Sequence, residues 1–181
     1  MAGRFDEVFV PPAGNRGLVL DLGCGPGFWT VEFPNRKPAE KIVAADLTEA
    51  ALRLVRERLR QAGLEAETRI ENAEALTFPD GTFDHVNCQG VVHHTPDTPR
   101  AIAEIARVLK PSGTAGISVY YRNAPLRNFD RLRFVFAALS RLGFAMPGRG
   151  REGIFRAADS AEVVRLYDGH GNPVGSAYTR A

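Results

Sequence analysis

The segment Leu18-Val-Leu-Asp-Leu-Gly-Cys-Gly-Pro-Gly27 decides the fold class of this chain. Its apolar start is typical of a buried strand, and glycines then alternate with other residues in a tight turn. A strand that opens into a glycine-rich turn and a helix is how a doubly wound sheet presents a nucleotide site at its carboxyl edge. Asp46 follows about 20 residues later, where a carboxylate that binds ribose hydroxyls is expected. The segment therefore predicts a nucleotide-binding α/β domain.

Short apolar runs alternate with helical patterns from Leu18 to Tyr121, which predicts a mainly parallel, Rossmann-like sheet flanked by helices. The predicted strands are Leu18–Leu22, Lys41–Ala45, Glu67–Ile70, His85–Cys88 and Thr114–Tyr120. The predicted helices are a short one after Gly27 that Pro34 interrupts, then Glu49–Ala62, Pro99–Leu109 with Thr98 as N-cap, Asn128–Leu142 and Ser160–Leu166. The stripe Ile102, Ile105 and Leu109 is expected to be buried. A connector at Met146–Gly153 and a C-terminus without a further strand complete the prediction.

Composition excludes several classes of protein. The chain has 181 residues, 44% hydrophobic and 24% charged residues and a net charge of +2, which is typical of a globular domain and not of a nucleic-acid-binding protein. No apolar run is long enough for a transmembrane helix, and the N-terminus has no signal-like apolar region, so a cytoplasmic location with reduced Cys24 and Cys88 is expected. The residues after Tyr121 are net basic, typical of a solvated surface or of contact with an anionic or lipid-like partner.

The glycine turn also bears on which nucleotide is bound. A dinucleotide fingerprint has glycine at the third position of Gly-x-Gly-x-x-Gly, where this chain has Phe28. An NAD-dependent oxidoreductase is therefore the disfavoured alternative.

Five segments together resemble the class I S-adenosylmethionine-dependent methyltransferases, in particular the small-molecule group with an Asp-x-Gly-x-Gly-x-Gly motif. They are Asp21–Gly27, Val43–Thr48, Asn72–Asp84, Gln89–Asp97 and Arg107–Gly113. The resemblance covers residues 18–121 and implies a cofactor-binding core over residues 1–121, with a helical, arginine-rich cover for the substrate over residues 122–181. It implies methyl transfer to an oxygen, nitrogen or carbon atom of a small molecule by in-line displacement.

Residue by residue, the resemblance implies how S-adenosylmethionine is held. Asp21, Gly23, Cys24, Gly25 and Gly27 would line its methionine part. Asp46 would hold the ribose hydroxyls, Leu47 would pack on the adenine face, Asn72 and Ala73 would meet the adenine edge, and Gln89 and Gly90 would close the pocket near the methyl group. Many relatives have aspartate at the position of Asn72, so a weaker contact with the adenine amine is expected there.

Other conspicuous residues have structural and functional interpretations. His93 and His94 are weak candidates for a general base; contact with the cofactor or packing is the alternative, and adjacent histidines after a strand are expected to point apart. Cys88, His93, His94 and Asp97 lack the spacing of a metal site. Trp29 is predicted to lie in the core, and Asp84 is either a strand-entry residue or catalytic. The predicted substrate contacts are Tyr120, Tyr121, Arg122, Phe129 and Arg133.

The last part of the chain raises further expectations. Relatives continue with an antiparallel strand pair beside the fifth strand, and its absence predicts a truncated chain whose exposed edge strand favours dimerisation. The helix at Asn128–Leu142, with Phe129, Leu132, Phe136 and Leu139 on one face, is predicted to be core or a lid, and peripheral attachment to a membrane is the alternative. A non-catalytic cofactor-binding or interaction protein is the main functional alternative.

Overall fold

A computed structural model describes residues 17–36, 41–144, 153–168 and 174–179. They form two compact units that divide between Ser118 and Val119. The boundary thus lies three residues before the one predicted after Tyr121. The predicted roles of the two parts stay predictions.

The first unit contains a five-stranded parallel sheet. Its strands are β1 (Leu18–Leu22), β2 (Lys41–Asp46), β3 (Glu67–Ile70), β4 (Phe83–Gln89) and β5 (Leu109–Ser118). They are ordered β3-β2-β1-β4-β5, and every neighbouring pair is parallel. The predicted Rossmann-like α/β fold is confirmed. Within the described part of the chain β5 is an edge strand, and dimerisation through it stays a prediction.

Strand β5 differs from its predicted bounds, Thr114–Tyr120. It begins at Leu109 and ends at Ser118. The register with β4 shifts between Phe83, which pairs with Leu109, and His85, which pairs with Thr114. This irregularity accommodates the Pro-Ser-Gly segment that the sequence predicts as a break between helix and strand.

Three helices flank this sheet: α1 (Phe28–Arg36), α2 (Glu49–Ala62) and α3 (Thr98–Val108). The bounds of α2 are those predicted, because Thr48 caps its first turn and Gly63, at φ 65°, ends it. Helix α1 is short, as predicted, but Pro34 lies within it and does not interrupt it. Trp29 is half-buried and packs against the buried residues Val19, Phe33 and Ile42, so the prediction that it lies in the core is confirmed in part.

Helix α3 corrects two predictions. Its N-cap is Asp97, whose carboxylate accepts a hydrogen bond from the backbone N–H of Arg100 at 3.0 Å. Thr98 instead donates its hydroxyl to the carbonyl of Val92. The buried stripe is Ala101, Ile105 and Val108, whereas Ile102 is exposed and Leu109 already belongs to β5. The prediction missed this because the alternative stripe has the same helical spacing.

The second unit is mainly helical. It contains β6 (Tyr120–Tyr121), α4 (Ala124–Arg127), α5 (Phe129–Arg141), a 3₁₀ turn (Ile154–Arg156), α6 (Ser160–Asp168) and β7 (Ala177–Tyr178). The prediction of no strand near the C-terminus is wrong, because β7 pairs in parallel with β6. Most of the predicted connector at Met146–Gly153 lies outside the described residues. No helix in the described ranges is long and apolar enough to cross a membrane.

Helix α5 buries only part of its predicted apolar face. Phe129 is buried, Phe136 and Leu139 are half-buried, and Leu132 is exposed. Phe129 forms a small core with Ile154 and Ala157. The opposite face exposes Phe134, whose side chain is 71% accessible.

Candidate functional site

The predicted site residues of the first unit follow the carboxyl ends of four adjacent parallel strands. The glycine turn follows β1, Asp46 ends β2, Asn72 follows β3, and Gln89 ends β4. Parallel strands end at one edge of the sheet, so the fold brings these segments together. The order of connections reverses between β1 and β4, and this is the place where open α/β sheets bind ligands.

The glycine turn is hydrogen-bonded to the end of β2. The backbone N–H groups of Gly23 and Cys24 both donate to the carbonyl of Ala45, at 2.7 and 3.0 Å. Gly23 has φ 67°, and a Cβ there would come within 2.2 Å of Val91. Gly25 has φ 51°, but a Cβ there would meet nothing within 4 Å. The turn therefore presents bare backbone to open space at Gly25.

Gly27 serves the packing of two helices. Its φ is 82°, and a Cβ would lie 3.0 Å from Val55 on α2. A side chain there would push α1 away from α2. Glycine is thus favoured at each of the three positions of the motif for a different structural reason.

Asp46 joins the glycine turn to the start of α2. One carboxylate oxygen accepts from the backbone N–H of Gly25 at 3.0 Å. The other accepts from both the backbone N–H and the hydroxyl of Thr48, at 2.9 Å each. A carboxylate offers about four acceptor positions, and these three hydrogen bonds occupy three of them, so one position remains for a hydroxyl of a ligand. The sequence did not predict the role of Thr48, although a threonine before a helix is a capping signal.

Asp21 is buried instead of facing solvent. Its two oxygens accept from the hydroxyl of Thr30 at 2.6 Å and from the side-chain amide of Asn87 at 2.8 Å. Gln89 in turn donates to the side-chain oxygen of Asn87 and to the carbonyl of Gly116, at 3.1 Å each. This Asp21 network links β1, β4, β5 and α1 behind the glycine turn.

Burial raises the pKa of Asp21 above its ordinary value, while the hydrogen bonds from Thr30 and Asn87 act in the opposite direction. Sequence analysis missed Thr30 and Asn87. The alternation of strand residues offered a signal, because Asn87 lies opposite Asp21 in the register of β1 and β4.

The predicted adenine side combines exposed and buried residues. Leu47 is 67% accessible directly after Asp46, and Ile70, which pairs with Asp46 in the register, is 58% accessible. Ala73 is buried, while Asn72 is exposed and accepts from the backbone N–H of Glu74 at 3.0 Å. Exposed apolar side chains beside a carboxylate are suited to a flat base attached to a ribose. The contacts predicted for these residues stay predictions.

His93 and His94 lie in a 3₁₀ turn after β4. Their ring centroids are 4.1 Å apart, so the expectation that they point apart is wrong. In a 3₁₀ turn, neighbouring side chains are separated by about 120° around the axis, whereas in an extended strand they point to opposite faces. His93 is buried and His94 is half-buried. Gly90, at φ 73°, lies between these histidines and Gln89, and its N–H donates to the hydroxyl oxygen of Ser118 at 3.0 Å.

Neither cysteine has the properties of a nucleophile. Cys24 and Cys88 are buried thiols, and burial raises the pKa of each to about 12. Within the described ranges no three His, Cys, Asp or Glu residues are grouped to hold a metal ion.

Asp84 has a structural role in the first unit. Its carboxylate accepts from the backbone N–H of Leu18 at 2.8 Å and from Lys110 at 2.7 Å. It therefore joins the starts of β1 and β5, which agrees with its interpretation as a strand-entry residue.

The predicted substrate contacts lie in the second unit, which brings only some of them together. Tyr120, Tyr121 and Phe129 line one cavity of about 610 Å³. Arg122 donates to the hydroxyl of Ser160 at 3.3 Å, and the guanidinium of Arg133 lies 4.8 Å from the ring centroid of exposed Phe134. These two cations do not line that cavity.

Comparison with known proteins identifies the family of this domain. Residues 19–113 match the family described as a methyltransferase domain. The chain belongs to this family. It is a class I S-adenosylmethionine-dependent methyltransferase fold, and S-adenosylmethionine is the family's cofactor.

Two curated proteins are similar in sequence to part of this chain. This methyltransferase domain is 40% identical over 99 residues, 53% of this chain and 39% of the relative, to the ubiquinone/menaquinone biosynthesis C-methyltransferase of Hydrogenovibrio crunogenus. It is 32% identical over 111 residues to an uncharacterised protein of Synechococcus, covering 60% of this chain and 27% of the relative. The chain thus spans well under half the length of these curated relatives.

Two solved structures show the same architecture. An S-adenosylmethionine-dependent methyltransferase of Methanosarcina mazei has a TM-score of 0.57 at 27% identity, over 73% of this chain and 66% of the other. The [4+2]-cyclase SpnF has a TM-score of 0.59 at 29% identity, over 67% of this chain and 45% of the cyclase. The fold therefore also occurs in a protein named for a reaction other than methyl transfer.

Proposed function

We propose that this chain transfers a methyl group from S-adenosylmethionine to a small-molecule acceptor. The observation that carries the proposal is the contact between Asp46 and the N–H of Gly25, which sets a carboxylate beside bare backbone at the ligand edge of the sheet. Leu47 follows as an exposed apolar side chain. This combination suits a ribose with an attached flat base, and the residues present fit the family's cofactor.

When bound, S-adenosylmethionine supplies an activated methyl group on a sulfonium centre. The chain's own residues then need mainly to bind and orient. Gly25 allows close approach of the backbone, Asp46 accepts a hydrogen bond from the ribose, and the Asp21 network keeps the turn in place. Alignment alone can contribute up to about 7 to 11 kcal/mol to such a displacement, so the absence of an assigned base among the described residues is compatible with catalysis. Oxygen, nitrogen and carbon acceptors all remain within this proposal.

The test is calorimetric titration of the chain with S-adenosylhomocysteine, and NADH is the control ligand. We expect saturable binding of the first ligand alone. Asp46→Ala should weaken that binding about ten- to a hundredfold, or roughly 1.5 to 3 kcal/mol, because it removes a charged hydrogen-bond acceptor from the ribose. Glu49→Ala, three residues further along at the exposed start of α2, should leave the affinity unchanged.

Three results would contradict parts of the proposal. Binding of NADH instead of S-adenosylhomocysteine would favour an oxidoreductase, and an unchanged affinity of Asp46→Ala would remove Asp46 from the site. Cofactor binding without methylation across a panel of small-molecule acceptors would favour the second candidate, a protein that binds the cofactor without methyl transfer. The structural likeness to a [4+2]-cyclase supports keeping that candidate.

A further inference from the structure

The second unit contains a cavity whose lining carries no charge among the described residues. It has a volume of about 610 Å³ and is lined by side chains from β6 to α6. Ligand sites that enclose small organic molecules have about 300 to 1,000 Å³. The cavity is therefore large enough for a ligand with one or two rings.

Three phenylalanines give the cavity an ordered aromatic wall. The rings of Phe129 and Phe136 are 5.2 Å apart and inclined by 11°, and those of Phe136 and Phe155 are 5.5 Å apart and inclined by 7°. All three rings are thus nearly parallel. A planar ring can stack against such a row with the geometry that aromatic pairs favour.

The polar groups of the lining are few. Tyr120 and Tyr121 contribute phenol hydroxyls, which can donate and accept hydrogen bonds. Asn123 also borders the cavity, but its side-chain oxygen caps α4 by accepting from the N–H of Leu126. These groups suit a ligand with one or two hydroxyl or carbonyl oxygens.

Three charged residues close in sequence to the cavity lining have contacts elsewhere. Arg122 donates to Ser160, Asp130 accepts from the N–H of Ser160 at 2.9 Å, and Arg133 lies over Phe134. An anion in an uncharged apolar cavity would lose its hydration without a compensating partner. The lining therefore selects against an ionised ligand.

We propose that this cavity binds an uncharged aromatic molecule with one or two oxygen substituents. This proposal does not rest on the proposed function, because every residue that lines the cavity belongs to the second unit.

Two dyes that differ by one charge test the proposal on the whole chain. N-phenyl-naphthylamine is neutral, and anilinonaphthalene sulfonate has the same ring system with an added sulfonate. We expect a saturable rise in the emission of the neutral dye, and an affinity for the sulfonated dye that is weaker by about tenfold or more. Equal or tighter binding of the sulfonated dye would overturn the neutral class of ligand.

Matched variants locate the dye. Val163→Phe adds a ring to the lining and should weaken binding of the neutral dye by about tenfold or more. Phe136→Leu removes the middle ring of the wall at similar volume and should weaken it about three- to tenfold. Phe134→Leu makes the same change on the exposed face of the same helix and should have no effect. A loss with Phe134→Leu and none with Phe136→Leu would place the dye on the exposed face and overturn the proposal.

Titration of each variant with S-adenosylhomocysteine separates this proposal from the proposed function. If the homocysteine derivative binds but the neutral dye does not, the cavity proposal fails alone. If the dye binds as expected and the derivative does not, the proposed function fails and the cavity keeps its ligand class. Circular dichroism confirms that each variant is folded, and Phe136→Leu keeps the test decisive if Val163→Phe is not.

Discussion

The carboxylate of Asp21 is buried behind the glycine turn. Thr30 and Asn87 donate to its two oxygens, and Gln89 extends the chain of donors. Because these groups belong to different elements, a change at Asp21 acts on the position of the turn as well as on charge. At the residue scale, this buried carboxyl group makes stability depend on pH.

Asp21→Asn should change the pH dependence of unfolding. Burial raises the folded-state pKa of Asp21 above 3.8, so the folded state holds a proton more tightly than the unfolded state. Its contribution to stability is fully present below 3.8 and is lost as pH rises through the folded pKa. The free energy of unfolding of Asp21→Asn, relative to the natural chain, should therefore increase from pH 4 to pH 7.

Urea unfolding of the ligand-free chain at several pH values measures this difference. Asp80→Asn is the control, since Asp80 is exposed and its change should not reproduce the trend. A difference between Asp21→Asn and the natural chain that is the same at every pH would contradict the prediction.

At the scale of elements, two of the positive-φ glycines with open surroundings serve different purposes. Gly25 lies in the turn between β1 and α1, and Gly63 ends α2. A Cβ would meet nothing within 4 Å at either position, so alanine adds the same kind of backbone strain at both. Comparing alanine variants at these two positions therefore separates the effect of backbone strain from the effect of contact with the ligand.

Gly25→Ala and Gly63→Ala should each lower the free energy of unfolding by about 1 to 2 kcal/mol, the cost of the left-handed conformation. Only Gly25→Ala should also weaken the binding of S-adenosylhomocysteine, by about 1 to 3 kcal/mol or roughly five- to 150-fold, because its methyl group occupies space at the ligand edge. Calorimetry and thermal unfolding measure the two effects. Equal affinities of both variants would show that the ligand does not approach Gly25.

At the scale of the whole molecule, an ion pair joins the starts of two strands that are distant in sequence. Asp84 accepts from Leu18 and Lys110, and the hydrogen bond from Lys110 holds the pKa of Asp84 below its ordinary value of 3.8. The pair therefore stabilises the fold above pH 3.8, and this contribution is lost as pH falls through the folded pKa.

Asp84→Asn should lower the free energy of unfolding by about 1 to 2 kcal/mol at pH 7, a modest value because the lysine is partly solvated. The difference from the natural chain should shrink as the solution is acidified below 3.8. Glu67→Gln, which removes only an exposed contact with Arg69, should cost less at every pH. A loss with Asp84→Asn that persists unchanged in acid would assign the effect to packing instead of charge.

Four features could be predicted from the amino-acid sequence alone: the parallel sheet, the bounds of α2, the glycine turn and Asp46 at the end of β2. They depend on local signals, namely apolar periodicity, a glycine that ends the helix and glycines in a tight turn. Family membership also follows from local motifs, because the matched residues 19–113 contain all of them.

Which side chains contact one another became clear only from the folded chain. Four such features depend on the folded arrangement of the chain. They are the hydrogen bonds from Thr30 and Asn87 to Asp21, the contact of His93 with His94, the pairing of β7 with β6, and the separation of Arg122 and Arg133 from the cavity. A residue's partners across a sheet or between helices depend on register and packing, which no local pattern contains. Helices, strands and candidate site residues could therefore be predicted from the sequence, whereas the Asp21 network and the aromatic cavity could be recognised only in the folded chain.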